Sequence, residues 1–292
     1  MMLLFFLLSP AEALDASRRG LMLWFTQLLP TLLPFTVLSY VVLRSGIFDS
    51  AKGQGAREWY VIVCGFLFGF PIGSKLTADL YGQGKLTREA ASVLFIFTNN
   101  LSPVFVTSVF QEQLNRRPGA VSYLLLYGIP FAYGMMGLFL RGRRARGGAS
   151  ADGHKNTASR FELDMQIIDA GIINGFETLI KICGYIMMFS LTAELIKNLP
   201  FVSAGVQTLL IGIVEVTNGM SALSGLVCPG GTKYLLAMLF LSLGGISGMF
   251  QTASIVSRTD LSMGKYLVNR LLLTAFTVLA AALCLTAGVL DQ

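Results

Sequence analysis

Apolar runs of membrane length recur along this chain, and they restrict its fold more than any motif does. They fall near residues 1–14, 20–43, 59–82, 90–111, 119–140, 166–196, 203–226, 232–256 and 266–290. Most exceed the roughly 18 apolar residues that mark a membrane span. Inside a bilayer every backbone N–H and C=O must be satisfied within the protein, which leaves α-helices and closed barrels. The runs are continuous and do not alternate, which argues against a barrel. The expected fold class is therefore all-α and polytopic. Composition agrees: the 292 residues are 54% hydrophobic and 13% charged, with mean hydropathy +0.66. Soluble domains carry about a quarter charged residues.

The same composition excludes several functions. The net charge of +6 comes mostly from residues between the apolar runs, where it sets orientation, so no nucleic-acid partner is implied. Cys64, Cys183, Cys228 and Cys284 are scattered with no CxxC spacing and read as small packing residues. The one histidine, His154, lies in a loop, which removes a His-based metal site or a Ser-His-Asp triad at membrane depth. No paired carboxylates stand at a catalytic spacing, so an enzyme is not expected. Met1 to Leu8, followed by Ser9, Pro10 and Ala11-Glu12-Ala13, looks like a signal-peptide core but lacks a basic n-region. We read it as a short first helix.

Residues 141–163 form a basic linker with Arg141, Arg143, Arg144, Arg146, Lys155 and Arg160, separated by Gly, Ser and Asn. The positive-inside rule places it in the cytoplasm. Threading every apolar run straight through leaves Lys and Arg nearly balanced between the two sides. Treating 59–82 and 203–226 as re-entrant hairpins puts roughly twice as many inside as outside. These two segments carry helix breakers, Gly69-Phe-Pro-Ile-Gly73 and Thr217-Asn218-Gly219. A limb of ten residues rises about 15 Å as helix, enough to reach the midplane. The arrangement has a symmetry. Helix 20–43, hairpin 59–82 and helices 90–111 and 119–140 match helix 166–196, hairpin 203–226 and helices 232–256 and 266–290. An odd number of crossings in each half inverts one relative to the other, a recurring secondary-transporter plan. The expected division is a first repeat over 1–140, the linker over 141–163, and an inverted second repeat over 164–292.

Four segments place polar groups where hydrocarbon should be. Ser74, Lys75, Thr77 and Asp79 follow the first breaker; Lys75 and Asp79 stand i,i+4 and either line a site or neutralise each other at the inner interface. Thr98-Asn99-Asn100-Leu-Ser102-Pro103 interrupts 90–111. Pro103 cannot bond to the Asn99 carbonyl, which with the amides would hold a solute or cation, or mark only a kink. Glu215, near Thr217 and Asn218, has no charged sequence neighbour and is the candidate for coupling to a proton or Na⁺; the alternative is a structural hydrogen bond. Ser247 and Gln251 share a helix face beside Gly244 and Gly248, a GxxxG that signals either close packing or a polar wall. Glu177 and Lys181 read as a structural pair, and Pro30 and Pro34 as kink positions.

At these residues the chain resembles a known family. Arg19-Gly-Leu-Met-Leu-Trp24, Leu29-Pro-Thr-Leu-Leu-Pro-Phe35, the segment Gly69–Leu80 and Phe97–Phe105 resemble the YlbJ-type sporulation integral membrane proteins. So do Gly175-Phe-Glu-Thr-Leu179, Gly212-Ile-Val-Glu-Val-Thr217, Gly245-Ile-Ser-Gly248 and Thr259-Asp260-Leu261. That family falls in the nucleoside-recognition, or Gate, group, related to concentrative nucleoside transporters and to the membrane gate of ferrous-iron transporters. The resemblance implies an inverted repeat with helical hairpins and a role in endospore formation, in cortex assembly. It implies no particular solute.

The functional expectation is a secondary transporter or permease for a small polar solute in a bacterial cytoplasmic or forespore membrane. Ser74, Lys75, Thr98, Asn99, Asn100, Ser102, Thr217, Asn218, Ser247 and Gln251 would face the solute, with Glu215 and Asp79 coupling an ion. No cofactor is expected beyond a coupling proton or Na⁺. The expected partners are the solute and the lipid bilayer, with a homo-oligomer left open. The competing reading is a non-transporting membrane scaffold in spore assembly.

Overall fold

The computed structural model describes residues 5, 7–45, 54–115, 117–147 and 164–289, and all regular structure among them is helical. Helix α1 runs Pro10–Arg44. It is followed by α2 (Gln54–Phe68), α3 (Ile72–Gly82), α4 (Arg88–Phe97) and α5 (Pro103–Leu114). Helix α6 begins as Ala120–Tyr123, passes through a π turn at Leu124–Gly128 and continues as Ile129–Gly147. Then come α7 (Met165–Lys197), α8 (Ala204–Val214), α9 (Val216–Gly225), α10 (Gly230–Leu243), α11 (Gly245–Val256) and α12 (Met263–Thr286). Five helices among the described residues are long and apolar enough to cross a membrane: Pro10–Arg44, Ala120–Arg141, Met165–Lys197, Gly230–Val256 and Met263–Thr286.

Helices α1 and α7 pack antiparallel along their lengths. Arg19 pairs with Glu194 at 2.6 Å, the Trp24 indole N–H donates to the Leu179 carbonyl at 2.8 Å, and Gly175 and Gly171 lie against Thr36 and Tyr40. A Cβ on Gly175 would stand 2.9 Å from Thr36 Oγ1. Small residues are what allow helices to approach so closely in lipid. Helix α1 bends through a π turn at Trp24–Leu28, where the Leu29 N–H reaches back to the Trp24 carbonyl. Pro30 follows and has no N–H to give; the wider turn absorbs the missing bond. Helix α6 repeats this, with Pro130 just after its π turn.

Two pairs of short helices fold back on themselves. Helix α2 meets α3 across Gly69-Phe70-Pro71, and α8 meets α9 across the single extended residue Glu215. Each pair crosses at glycines. A Cβ on Gly65 would stand 3.2 Å from Gly73 Cα, and one on Gly219 would stand 2.1 Å from Gly212 Cα. Two other segments break within a membrane-length run. Thr98 to Ser102 separate α4 from α5, and Gly244, at φ 73°, separates α10 from α11. The buried apolar residues form two large clusters. One centres on α2, α3 and α4 and includes Leu179, Val256 and Tyr266. The other centres on α5, α9 and α10.

Three expectations are corrected. Residues 1–14 and 20–43 are not two helices joined by a loop at Arg18 and Arg19, because Pro10–Arg44 is continuous and Arg19 pairs from it with Asp15 and Glu194. The second breaker is not Thr217-Asn218-Gly219, which is helical. The break falls at Glu215, whose carboxylate accepts from the Asn218 N–H and so starts α9. Gly244 and Gly248 do not form a GxxxG packing groove, because Gly244 lies between helices in the left-handed region. The basic linker begins inside α6, with Arg141 bonded to Glu58 at 2.5 Å. The expectations for residues 1–4 and 148–163 lie outside the described residues.

The glycine crossing of α8 and α9 predicts a sharp contrast. Gly219→Ala should destabilise the purified protein by about 1–3 kcal/mol, because its methyl group would meet backbone. Gly205→Ala, with open space around it, should not. Thermal unfolding in detergent checks this; equal melting temperatures would show that the crossing is loosely packed.

Candidate functional site

The breaks converge. Pro103 has no N–H to give the Asn99 carbonyl, and other carbonyls at the break find partners one by one. The Phe97 carbonyl accepts from Asn100 Nδ2 at 2.6 Å, that of Asn100 from the Phe70 N–H at 2.5 Å, and that of Leu101 from the Tyr127 hydroxyl at 2.9 Å. Ser102 caps α5 by accepting from the Phe105 N–H at 3.2 Å. The tip of α2–α3 is thus seated on the α4–α5 break. Gly69, at φ 72°, permits this, since a Cβ there would stand 2.3 Å from the Ser102 nitrogen. A second hairpin tip meets a second break. A Cβ on Gly245 would lie 3.3 Å from Glu215 Cα, so the tip of α8–α9 is seated on the α10–α11 break.

Arg270 of α12 joins the two. It is 3% exposed, its Nε donates to the Leu243 carbonyl at 3.1 Å, and its Nη1 donates to Asn100 Oδ1 at 2.9 Å. Its Nη2 faces Gly244, 3.3 Å from where a Cβ would stand. Among the described residues it forms no ion pair. A buried guanidinium held only by neutral acceptors is costly, which makes Arg270 a candidate for function. Beside it lies a cavity of about 10 Å³, room for about one water. Asn100, Tyr127, Ser242, Arg270 and Thr277 supply its polar lining.

Asn99 points to the second half. Its Nδ2 donates to Thr252 Oγ1 at 2.9 Å and to the Tyr266 hydroxyl at 2.8 Å. The Thr252 hydroxyl is itself spent on the Gly248 carbonyl, so the Thr252 oxygen must accept and the amide orientation is fixed. That leaves Asn99 Oδ1 buried with no donor among the described residues, and Gln251 Oε1 and Thr274 Oγ1 are in the same condition. Gln251 donates to Ser247 Oγ at 3.0 Å. Glu215, 4% exposed, accepts from the backbone and side chain of Asn218, both at 2.8 Å, and Asn218 also donates to Ser190 at 3.1 Å. Thr217 is half-buried in the first turn of α9.

The predicted residues therefore divide. Asn99, Asn100, Ser102 and Thr98 surround the first break, and Glu215 with Asn218 occupies the second hairpin tip. Ser74 and Thr98 spend their hydroxyls on the Pro71 and Leu94 carbonyls. Lys75 is bonded to Asp79 at 3.1 Å, and Glu177 to Lys181 at 2.7 Å, so both pairs neutralise themselves. Sequence reasoning missed Arg270, Tyr266, Thr252 and Ser190. Arg270 had a readable signal: it is a lone cation within an apolar run, with no acid one helical turn away. Its neighbours Tyr266 and Thr274, at i−4 and i+4, lie on the same face.

At one end of the bundle Asp260 accepts from the Tyr81 hydroxyl at 2.6 Å and pairs with Arg88 at 2.7 Å, tying the α11–α12 loop to α3 and α4. The Tyr81 hydrogen bond, aided by the Arg88 charge, holds the Asp260 carboxyl below its ordinary value of 3.8. A depressed carboxyl contributes stability above its unfolded pKa and loses it as pH falls through the folded one. The melting temperature should therefore decline below pH 3.8, and more steeply in the parent than in Asp260→Asn. Parallel pH profiles would remove Asp260 from the account.

Together, broken helices, paired hairpins and an internal polar site define a multi-pass helical membrane protein. The chain is 26% identical to the sporulation integral membrane protein YlbJ of Bacillus subtilis (strain 168) over 310 aligned positions, covering 90% of this chain and 75% of that protein. This similarity over nearly the whole chain supports assigning it to the YlbJ type. No family model matches the chain, and no solved structure does either.

Proposed function

We propose that the chain is a secondary transporter or permease that carries a small anionic solute across a bacterial membrane and, in view of its relative's name, serves sporulation. The observation that carries this reading is Arg270, a buried cation without an acid partner among the described residues, placed where both helix breaks and one hairpin tip come together. An anion is the partner such a guanidinium lacks. Asn99 Oδ1 and Thr274 Oγ1, both buried and unpartnered, would bond polar groups on the solute. Glu215 at the second tip would couple a proton or Na⁺.

The alternating-access plan rests on two inverted repeats, 1–140 and 164–292. Several contacts support it. The corresponding helices α1 and α7 run antiparallel, as do α6 and α12, where Tyr133 bonds to Asn269 and the α6 residues Tyr127 and Pro130 share a cavity with Arg270 and Thr277. Each hairpin packs its second limb on the second limb of the other half's broken helix, α3 on α11 and α9 on α5. The short limbs, such as α8 with 11 residues, rise about 16 Å and suit a hairpin that enters and leaves on one side. On this reading a cavity with room for about one water belongs to a closed form, and the breaks must part to admit a solute.

The test is ligand-dependent thermal stabilisation of the purified protein. The panel holds nucleosides, nucleotides, amino acids, dipicolinate-like diacids, inorganic phosphate and divalent metals. We expect a shift for one anionic class that falls in Asn99→Ala, Glu215→Gln and Arg270→Lys, each measured against its own baseline. No shift for any class, with all three variants as stable as the parent, would favour the scaffold reading instead.

A further inference from the structure

We propose that Asn100 is a displaceable stand-in for the solute: in the empty site its side-chain carbonyl occupies Arg270, and an anionic oxygen of the solute replaces it. This rests on the reading of the solute as an anion. A buried guanidinium needs acceptors, and Arg270 has two, the Leu243 carbonyl and Asn100 Oδ1. The Leu243 carbonyl ends α10 and is fixed by the fold. Asn100 is different: it lies in the non-helical break, and besides Arg270 only the Phe97 carbonyl holds its side chain. A neutral amide oxygen bonds a guanidinium less strongly than a carboxylate or phosphate oxygen, which brings its own charge and a bidentate geometry. The arrangement therefore satisfies Arg270 without the solute while leaving it open to exchange.

The exchange has a structural consequence. The Arg270–Asn100 bond links the first break to α12 of the other half, and the Asn100 carbonyl holds the Phe70 N–H at the first hairpin tip. Asn100 Nδ2 also closes the end of α4 through the Phe97 carbonyl. When the solute takes Nη1, the direct bond between the halves is replaced by one that runs through the solute. Asn100 is thus a positioning residue that couples occupancy of Arg270 to the seating of the α2–α3 tip.

Two substitutions separate this from a plain structural role. Asn100→Asp supplies a permanent counter-charge to Arg270; anion binding should weaken by about tenfold or more. Asn100→Ala removes the stand-in but leaves the guanidinium free, and anion binding should persist. Binding is read by thermal shift with phosphate, succinate and dipicolinate. In parallel, phenylglyoxal labels arginine, and mass spectrometry of the Arg270 peptide reports how firmly the guanidinium is held. The adduct should form fastest in Asn100→Ala and slowest in Asn100→Asp. Asn100→Asp binding anions like the parent, or Asn100→Ala losing binding as fully as Asn100→Asp, would overturn the proposal. If no anion shifts the parent, the anionic reading itself fails. The labelling still decides whether Asn100 holds Arg270, and equal rates in all three proteins would show that it does not.

Discussion

A helix break inside a bilayer releases backbone groups that have no water to turn to, and each unsatisfied one costs several kcal/mol. That constraint organises this molecule. The α4–α5 break could exist only if its carbonyls met donors, and these are the Phe70 N–H of the first hairpin tip, the Tyr127 hydroxyl of α6 and, from within the break, the Asn100 side chain. The α10–α11 break is closed by Arg270. Each break therefore recruits its surroundings, and the polar interior follows from that demand as much as from function.

Close approach makes the recruitment geometrically feasible. The hairpin limbs meet at Gly212 and Gly219 without intervening side chains, and Gly69 lets the first tip touch Ser102 backbone. Lipid offers no hydrophobic drive for helix association, so attraction has to come from such contacts. The same economy places a charged group at the centre. Arg270 satisfies one carbonyl and one amide, and in doing so joins segments that lie 170 residues apart in sequence.

Much of this was legible in the chain. Gly69 with Pro71, and Asn99 with Pro103, announce breaks because neither pair can continue a helix ladder, and both breaks are there. The second break was misplaced by two residues. Glu215 was read as a charge in need of a partner, whereas its carboxylate serves first as the cap of α9. Arg270 carried a readable charge signal that went unused, but its partners could not be read, because Asn100 and Leu243 are brought near it only by the fold. The continuity of α1 was hidden for a related reason. Arg18 and Arg19 read as a loop, but Arg19 meets an acid on a helix more than 170 residues away.

The π turns at Trp24–Leu28 and Leu124–Gly128 each hold one residue more than an α-helical ladder needs. Removing a single residue there would close the ladder and leave both helix ends intact. Because the wide turn absorbs the extra residue locally, everything before it and everything after it would keep nearly the same facing. In α1 Gly20 and Arg19 would stay on their contacts with α7. What would return is the proline conflict, because Pro30 and Pro130 would again stand in a regular ladder to which they give no N–H. Single-residue gaps at these two positions should therefore accompany loss of the proline, a pairing readable in any alignment.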